Sequence, residues 1–114
     1  MAHIQSVYDS GNSSPEKGSN GSVDVHHISP NDLFNITLKS NPQNGYMWYL
    51  SNNDTTSPST LMEEKMEPLP RYMGTKQYFT FKCVKKGNHD LTFEYRRSWE
   101  ALPHSTFTVH LHVN

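Results

Sequence analysis

The sequence has little with which to staple itself. Its one cysteine, Cys83, excludes an intrachain disulfide, so a packed core must hold the fold alone. No run of twelve apolar residues occurs anywhere, which leaves no membrane span and no secretory h-region within this chain. Neither sign of charge prevails: ten Lys and Arg stand against eleven Asp and Glu. That balance argues against a nucleic-acid partner, which calls for a clustered basic footprint. Apolar residues are scarce as well, at 33%, and mean hydropathy is −0.78. A chain of 114 residues has room for one domain.

What is present is a period of two. Phe34, Ile36 and Leu38 alternate with Asn35, Thr37 and Lys39. Phe79, Phe81 and Cys83 alternate with Lys76, Tyr78, Thr80 and Lys82. Leu91, Phe93 and Tyr95 repeat the pattern, and Phe107, Val109, Leu111 and Val113 give its cleanest form. Half-buried strands alternate this way because successive side chains leave opposite faces of the sheet. Turn signals separate the runs at 29–32, 41–45, 51–59, 86–88 and 102–103, and a helix has a candidate only at 61–67, between prolines. The expected fold is all-β: an immunoglobulin-like β-sandwich of seven or eight antiparallel strands, without a disulfide. The expected domain is 3–114. Its first strand lies at 3–8, and the Ser-, Gly- and Asn-rich segment 9–22 forms a mobile polar insertion loop.

Candidate chemistry is sparse. Cys83 falls on the apolar face of a strand and reads as a small hydrophobe rather than a nucleophile. His110 and His112 form an H-x-H pair, two ligands where zinc needs four, and read as solvated outward positions. The sequons at Asn12, Asn20, Asn35 and Asn53 are uninformative in a chain this rich in Asn and Ser. Without a paired acid, base or nucleophile, the chain is not expected to be an enzyme and calls for no cofactor or metal.

Two loops stand out. In 41–46, Pro42 fixes one φ, Gly45 permits a positive φ, and the asparagines can bond back to the backbone. In 95–100, Trp99 sits on a loop, where an indole is a natural interface anchor. An immunoglobulin-like adhesion or carbohydrate-binding module is one reading, with Tyr46 and Trp99 stacking on sugar rings.

Taken together, the two loops resemble the chagasin-type family of inhibitors of papain-like cysteine proteases. That family carries N-P-T-T-G-[YF]-x-W, G-x-G-G and R-P-[WF] segments, in that order, on three loops at one end of an immunoglobulin-like sandwich. Here NPQNGYMW at 41–48 keeps the Asn, Pro, Gly, aromatic and Trp, with Gln43 and Asn44 replacing two threonines. Arg97-Ser98-Trp99 keeps the Arg and Trp and loses the Pro. The run TKQYFTFKCVKKGNHDLTFEY is similar to the stretch between the family's second and third loops. The departure is the middle loop, where Arg71-Tyr72-Met73-Gly74 retains one glycine. A sugar-binding module has no reason to pair NPQNGY with RSW.

The resemblance implies a reversible, non-covalent protease inhibitor. Asn41, Pro42, Gln43, Asn44, Gly45 and Tyr46 would enter the active-site cleft. Arg71, Tyr72, Met73 and Gly74 would lie along its non-primed side, and Arg97, Ser98 and Trp99 would settle on its primed side. The implied partner is a papain-like cysteine protease, cathepsin L-like or parasite, met by a monomer in the secretory or endolysosomal pathway or outside the cell. The Asn-rich insertions are similar to those of malaria-parasite members, in which the inhibitor domain is the C-terminal part of a longer protein.

Overall fold

The computed structural model describes residues 4–11, 15–51 and 59–114, apart from the Tyr72 side chain. His3 and the sequons at Asn12 and Asn53 lie outside them. Eight strands follow in order: β1 (Ile4–Asp9), β2 (Asn20–Ile28), β3 (Leu33–Ser40), β4 (Met47–Leu50), β5 (Ser59–Pro68), β6 (Thr75–Cys83), β7 (Gly87–Arg96) and β8 (Ser105–Val113). They form two four-stranded sheets, ordered β1-β3-β6-β5 and β2-β8-β7-β4.

The sandwich is as expected, but not every pairing is antiparallel. β1 pairs with β3, and β2 with β8, in parallel. Alternation does not distinguish the two directions, because the side-chain period is two in both. The segment after β1 carries the chain from the first sheet to the second. Strand β2 begins at Asn20, so residues 20–22, expected within the 9–22 loop, pair with Thr106, Phe107 and Thr108. The helix candidate at 61–67 is edge strand instead, paired with β6 along its length.

The apolar rows meet in the middle. Phe34, Ile36, Phe79 and Phe81 of the first sheet are buried with Leu91, Phe93, Val109 and Leu111 of the second. Phe79 and Phe93 touch across the interface with centroids 4.9 Å apart and ring planes tilted by 55°, a contact that adds to plain area burial. Cys83 is fully buried, and burial pushes its thiol above its ordinary pKa. It serves as packing, as the sequence implies.

A large polar side chain sits in this apolar layer. Gln77 shares the parity of Phe79 and Phe81 and is fully buried. Its carboxamide crosses between the sheets, accepting from the Trp48 N–H at 2.8 Å and donating to the Trp48 carbonyl at 3.1 Å. β4 is an edge strand. Gln77 thus supplies the donor and acceptor that a further strand would have offered it.

Candidate functional site

Strands β3, β5 and β7 all run toward the same end of the sandwich, where three loops emerge. Connection 41–46 joins β3 to β4, 69–74 joins β5 to β6, and 97–104 joins β7 to β8.

The first loop is a single 3-10 turn, Pro42–Asn44, closed by bonds from Asn44 N–H to the Asn41 carbonyl and from Gly45 N–H to the Pro42 carbonyl, 3.1 and 2.8 Å. Gly45 ends the turn at φ 83°, in the left-handed region that glycine enters without a Cβ penalty. Its base is fixed from below. Asn41 N–H donates to the Tyr95 hydroxyl at 3.0 Å, and Trp48 Nε1–H donates to the Lys39 carbonyl at 2.9 Å. Burial raises the Tyr95 pKa, so the phenol stays protonated beneath the loop. Pro42 and Asn41 are half-buried, while Gln43 and Asn44 form the exposed tip.

The third loop grips the first. Arg97 Nε–H donates to the Asn44 carbonyl at 2.9 Å, its guanidinium lies 4.6 Å from the Tyr46 ring centre, and Glu100 pairs with it at 3.5 Å. Arg97 thus brackets the first loop, while its side chain stays 36% exposed at the same end of the sandwich. Trp99 leans over Gly45, so close that a Cβ at that glycine would fall 2.9 Å from the indole Cη2. The opposite side of the indole is open, and Trp99 is 72% exposed. Ser98 beside it is exposed too.

The middle loop braces itself. Leu69 N–H reaches the Gly74 carbonyl at 2.9 Å, and Met73 N–H reaches that of Pro70 at 3.3 Å. Gly74, at φ 109°, presses on β3, where a Cβ would stand 2.7 Å from the Ser40 carbonyl oxygen. A shallow cleft of about 120 Å³ separates this loop from the first, lined by Pro42, Gln43, Pro68, Leu69, Gly74 and Thr75. Arg71 and Met73 point outward, exposed.

Of the residues singled out from sequence, those of 41–46 and 97–99 form one interlocked unit, and those of 71–74 stand beside it. Sequence reasoning missed Tyr95, Gln77 and Glu100 as supports, and Leu102 as an exposed neighbour of the site. Gln77 had left a signal: it is the polar member of an otherwise apolar row. Leu102 is 82% exposed, so with Trp99 and Met73 (59%) it adds a third apolar tip at this end. His104 belongs to this end, edge-on to Tyr46 and Tyr95 with centroids 5.2 and 5.6 Å away, whereas His26, His110 and His112 lie on the outer face of the second sheet. There His110 meets Asp90 at 2.7 Å, and His112 stacks on His26 and meets Asp24 at 2.9 Å. The Asp24 carboxyl is held below its usual range, chiefly by the hydrogen bond to His112.

Rigid loops with exposed apolar tips, mounted on a braced sandwich, make a surface for occupying another macromolecule. The comparisons name the class. The model of the chagasin family peptidase inhibitors, I42, matches residues 27–113. Chagasin of Trypanosoma cruzi is 30% identical over 95 residues, 76% of this chain and 86% of that protein. Amoebiasin-2 of Entamoeba histolytica is 34% identical over 77 residues, 65% of this chain and 63% of that protein. Among solved structures, PbICP-C in complex with falcipain-2 superposes with a TM-score of 0.68 at 18% identity, over 96% of this chain and 99% of that one. The chain belongs to the chagasin family of peptidase inhibitors, a family of inhibitors and not of enzymes.

Proposed function

We propose that the protein inhibits papain-like cysteine proteases reversibly and without covalent chemistry, by seating its three loops in and beside the active-site cleft. The observation that carries this reading is the locking of the 41–46 turn to the Trp99 loop through Arg97 and Gly45. It makes a wedge whose ordering entropy is spent in folding rather than on binding. Family membership supports the reading, and one relative of this fold is solved bound to falcipain-2.

The same geometry explains how a wedge in a protease cleft survives. A scissile peptide must present its carbonyl about 3–3.5 Å from the nucleophile in an aligned, near-attack arrangement. Here the backbone is curled into a 3-10 turn with two internal hydrogen bonds, and Gly45 is left-handed. Uncurling it would break the Arg97 bracket as well. Prolonged incubation with active protease leaves the 41–46 peptide bonds intact, as mass spectrometry would show.

The sugar-binding alternative loses one of its two stacking rings. Tyr46 is half-buried, stacked on Tyr95 with centroids 5.3 Å apart and covered by the Arg97 guanidinium. A titration against papain and a cathepsin L-like protease, read with a fluorogenic peptide and with trypsin as control, tests the reading. Nanomolar reversible inhibition confined to the cysteine proteases is expected. No inhibition at micromolar protein overturns it.

A further inference from the structure

The chain's three arginines all lie at the loop end, and they are used differently. Arg96 lies over the Tyr49 ring at 4.4 Å and pairs with Glu94 at 3.5 Å. Arg97 is consumed by the Asn44 carbonyl, Tyr46 and Glu100. Arg71 is exposed at the apex of the middle loop, and among the described residues its guanidinium makes no hydrogen bond or ion pair.

Its backbone is strained as well. Arg71 adopts φ 59° and ψ 31°, left-handed values that a long L side chain seldom takes. The loop imposes them: Pro68 and Pro70 restrict the chain on one side, and Gly74 is pinned against Ser40 on the other. A left-handed residue that rewards nothing inside the molecule, held by a frame this stiff, belongs where strain serves a contact. The result is a rigid hook with a bare guanidinium at its apex and an exposed Met73 two residues on.

On the inhibitor reading, we infer that Arg71 is a specificity residue. The middle loop presents its guanidinium to a carboxylate on the rim of the protease cleft, beside an apolar site that receives Met73. A planar fork of donors matches a carboxylate better than any other protein group. Because the loop cannot retract, a protease with a basic rim at this point is repelled rather than merely less attracted. A steering charge on an interface rim acts mainly on association rate and is screened by salt.

The test uses the full chain against papain and a cathepsin L-like protease, with association and dissociation rates measured at 50 and 300 mM salt. Arg71→Glu is expected to slow association with at least one of them about tenfold at low salt, and less at high salt. Arg71→Lys should keep the association rate within about threefold of wild type, because it keeps the charge, and should dissociate faster, because an ammonium lacks the planar fork. Arg71→Gly relieves the left-handed backbone while removing the exposed side chain, so it should lose part of the rate with no fall in melting temperature. If wild type inhibits and Arg71→Glu stays within twofold on both enzymes, this inference falls and the inhibitor reading stands. If wild type inhibits neither, both fall together.

Discussion

The two ends of the sandwich are closed in different ways. At the end opposite the loops, the 29–32 turn is closed by its own residues and by backbone pairing with Cys83 of β6. Ser29 N–H donates to Asp32 Oδ2 at 2.8 Å, Asn31 N–H to the Cys83 carbonyl at 2.7 Å, and Cys83 N–H to the Asp32 carbonyl at 2.9 Å. At the loop end, side chains from distant strands reach in to hold backbone: Gln77 holds Trp48, Trp48 holds Lys39, Tyr95 holds Asn41 and Arg97 holds Asn44. A turn closed this way calls on no side chain from a distant strand. A projecting loop that must keep its shape against a partner needs support from the body beneath it. Substitutions at the two ends should therefore be read out by different measurements.

The largest effect is expected from the brace. Gln77→Leu fits the apolar layer but strips both partners from the Trp48 backbone in a buried site. Each orphaned group costs on the order of 1–3 kcal/mol, so a loss of about 3 kcal/mol in unfolding free energy is expected by denaturant titration. Inhibition should weaken in the same variant, because the strand below the wedge loosens.

Next come the tips. Trp99→Ala removes the open indole and should weaken inhibition about 30-fold or more, roughly 2 kcal/mol, as expected of a buried aromatic anchor. The fold should be indifferent to it, since the ring is 72% exposed in the free protein. Gly45→Val should do comparable damage by another route. It places a β-branched residue at φ 83° and drives its Cβ into the indole, displacing wedge and anchor together. A Trp99→Ala protein that inhibits like wild type would erase the distinction between the two ends.

Arg97→Ala sharpens it. The bracket is half-exposed, so its hydrogen bond and ring contact together should be worth about 1 kcal/mol, five- to tenfold in inhibition. If Arg97 positions the wedge rather than touching the protease, the loss appears with faster amide exchange at Gly45 in the free protein. Arg97→Lys should not restore it, for an ammonium has neither the planar face for Tyr46 nor the Nε–H for Asn44.

Much of this division was legible in the sequence, and the reasons it was not wholly so are specific. Strands β3, β6, β7 and β8 announce themselves because each buries one face, which writes a period of two into the residues. The 41–46 turn is legible because Pro42 and Gly45 have few other backbone uses. Strand direction in β1 and β2 is not, since both pair with residues far along the chain and neither depends on a local turn. The edge strand β5 buries little beyond Ser59, so its Glu, Lys and Met residues carry no alternation and pass for helix. The bracing role of Arg97 stayed hidden for a related reason: a sequence shows that an arginine neighbours a tryptophan, not which way its guanidinium turns. What turns it inward is the carbonyl of Asn44, 53 residues earlier.

The smallest effects belong to the far end. His89, half-buried at the start of β7, meets the Ser59 hydroxyl at 2.9 Å, and burial holds its pKa below the ordinary 6.5. The unfolded chain therefore takes up this proton at higher pH than the folded one. The stability His89 contributes is complete above about pH 6.5 and is lost as pH falls through its folded value. Asp24 works in the same direction, but its carboxyl titrates below the ordinary 3.8, outside the interval from pH 7.5 to 5 in which His89 acts. A small drop in melting temperature over that interval, flattened in His89→Gln, is the expected result. Lys85→Ala, on the exposed 84–86 turn, should change stability by less than about 0.5 kcal/mol and inhibition by less than about twofold. A clear loss of inhibition from either far-end variant would mean that the protease reaches around the sandwich. The contrast between a working end and a merely closed end would then have to be redrawn.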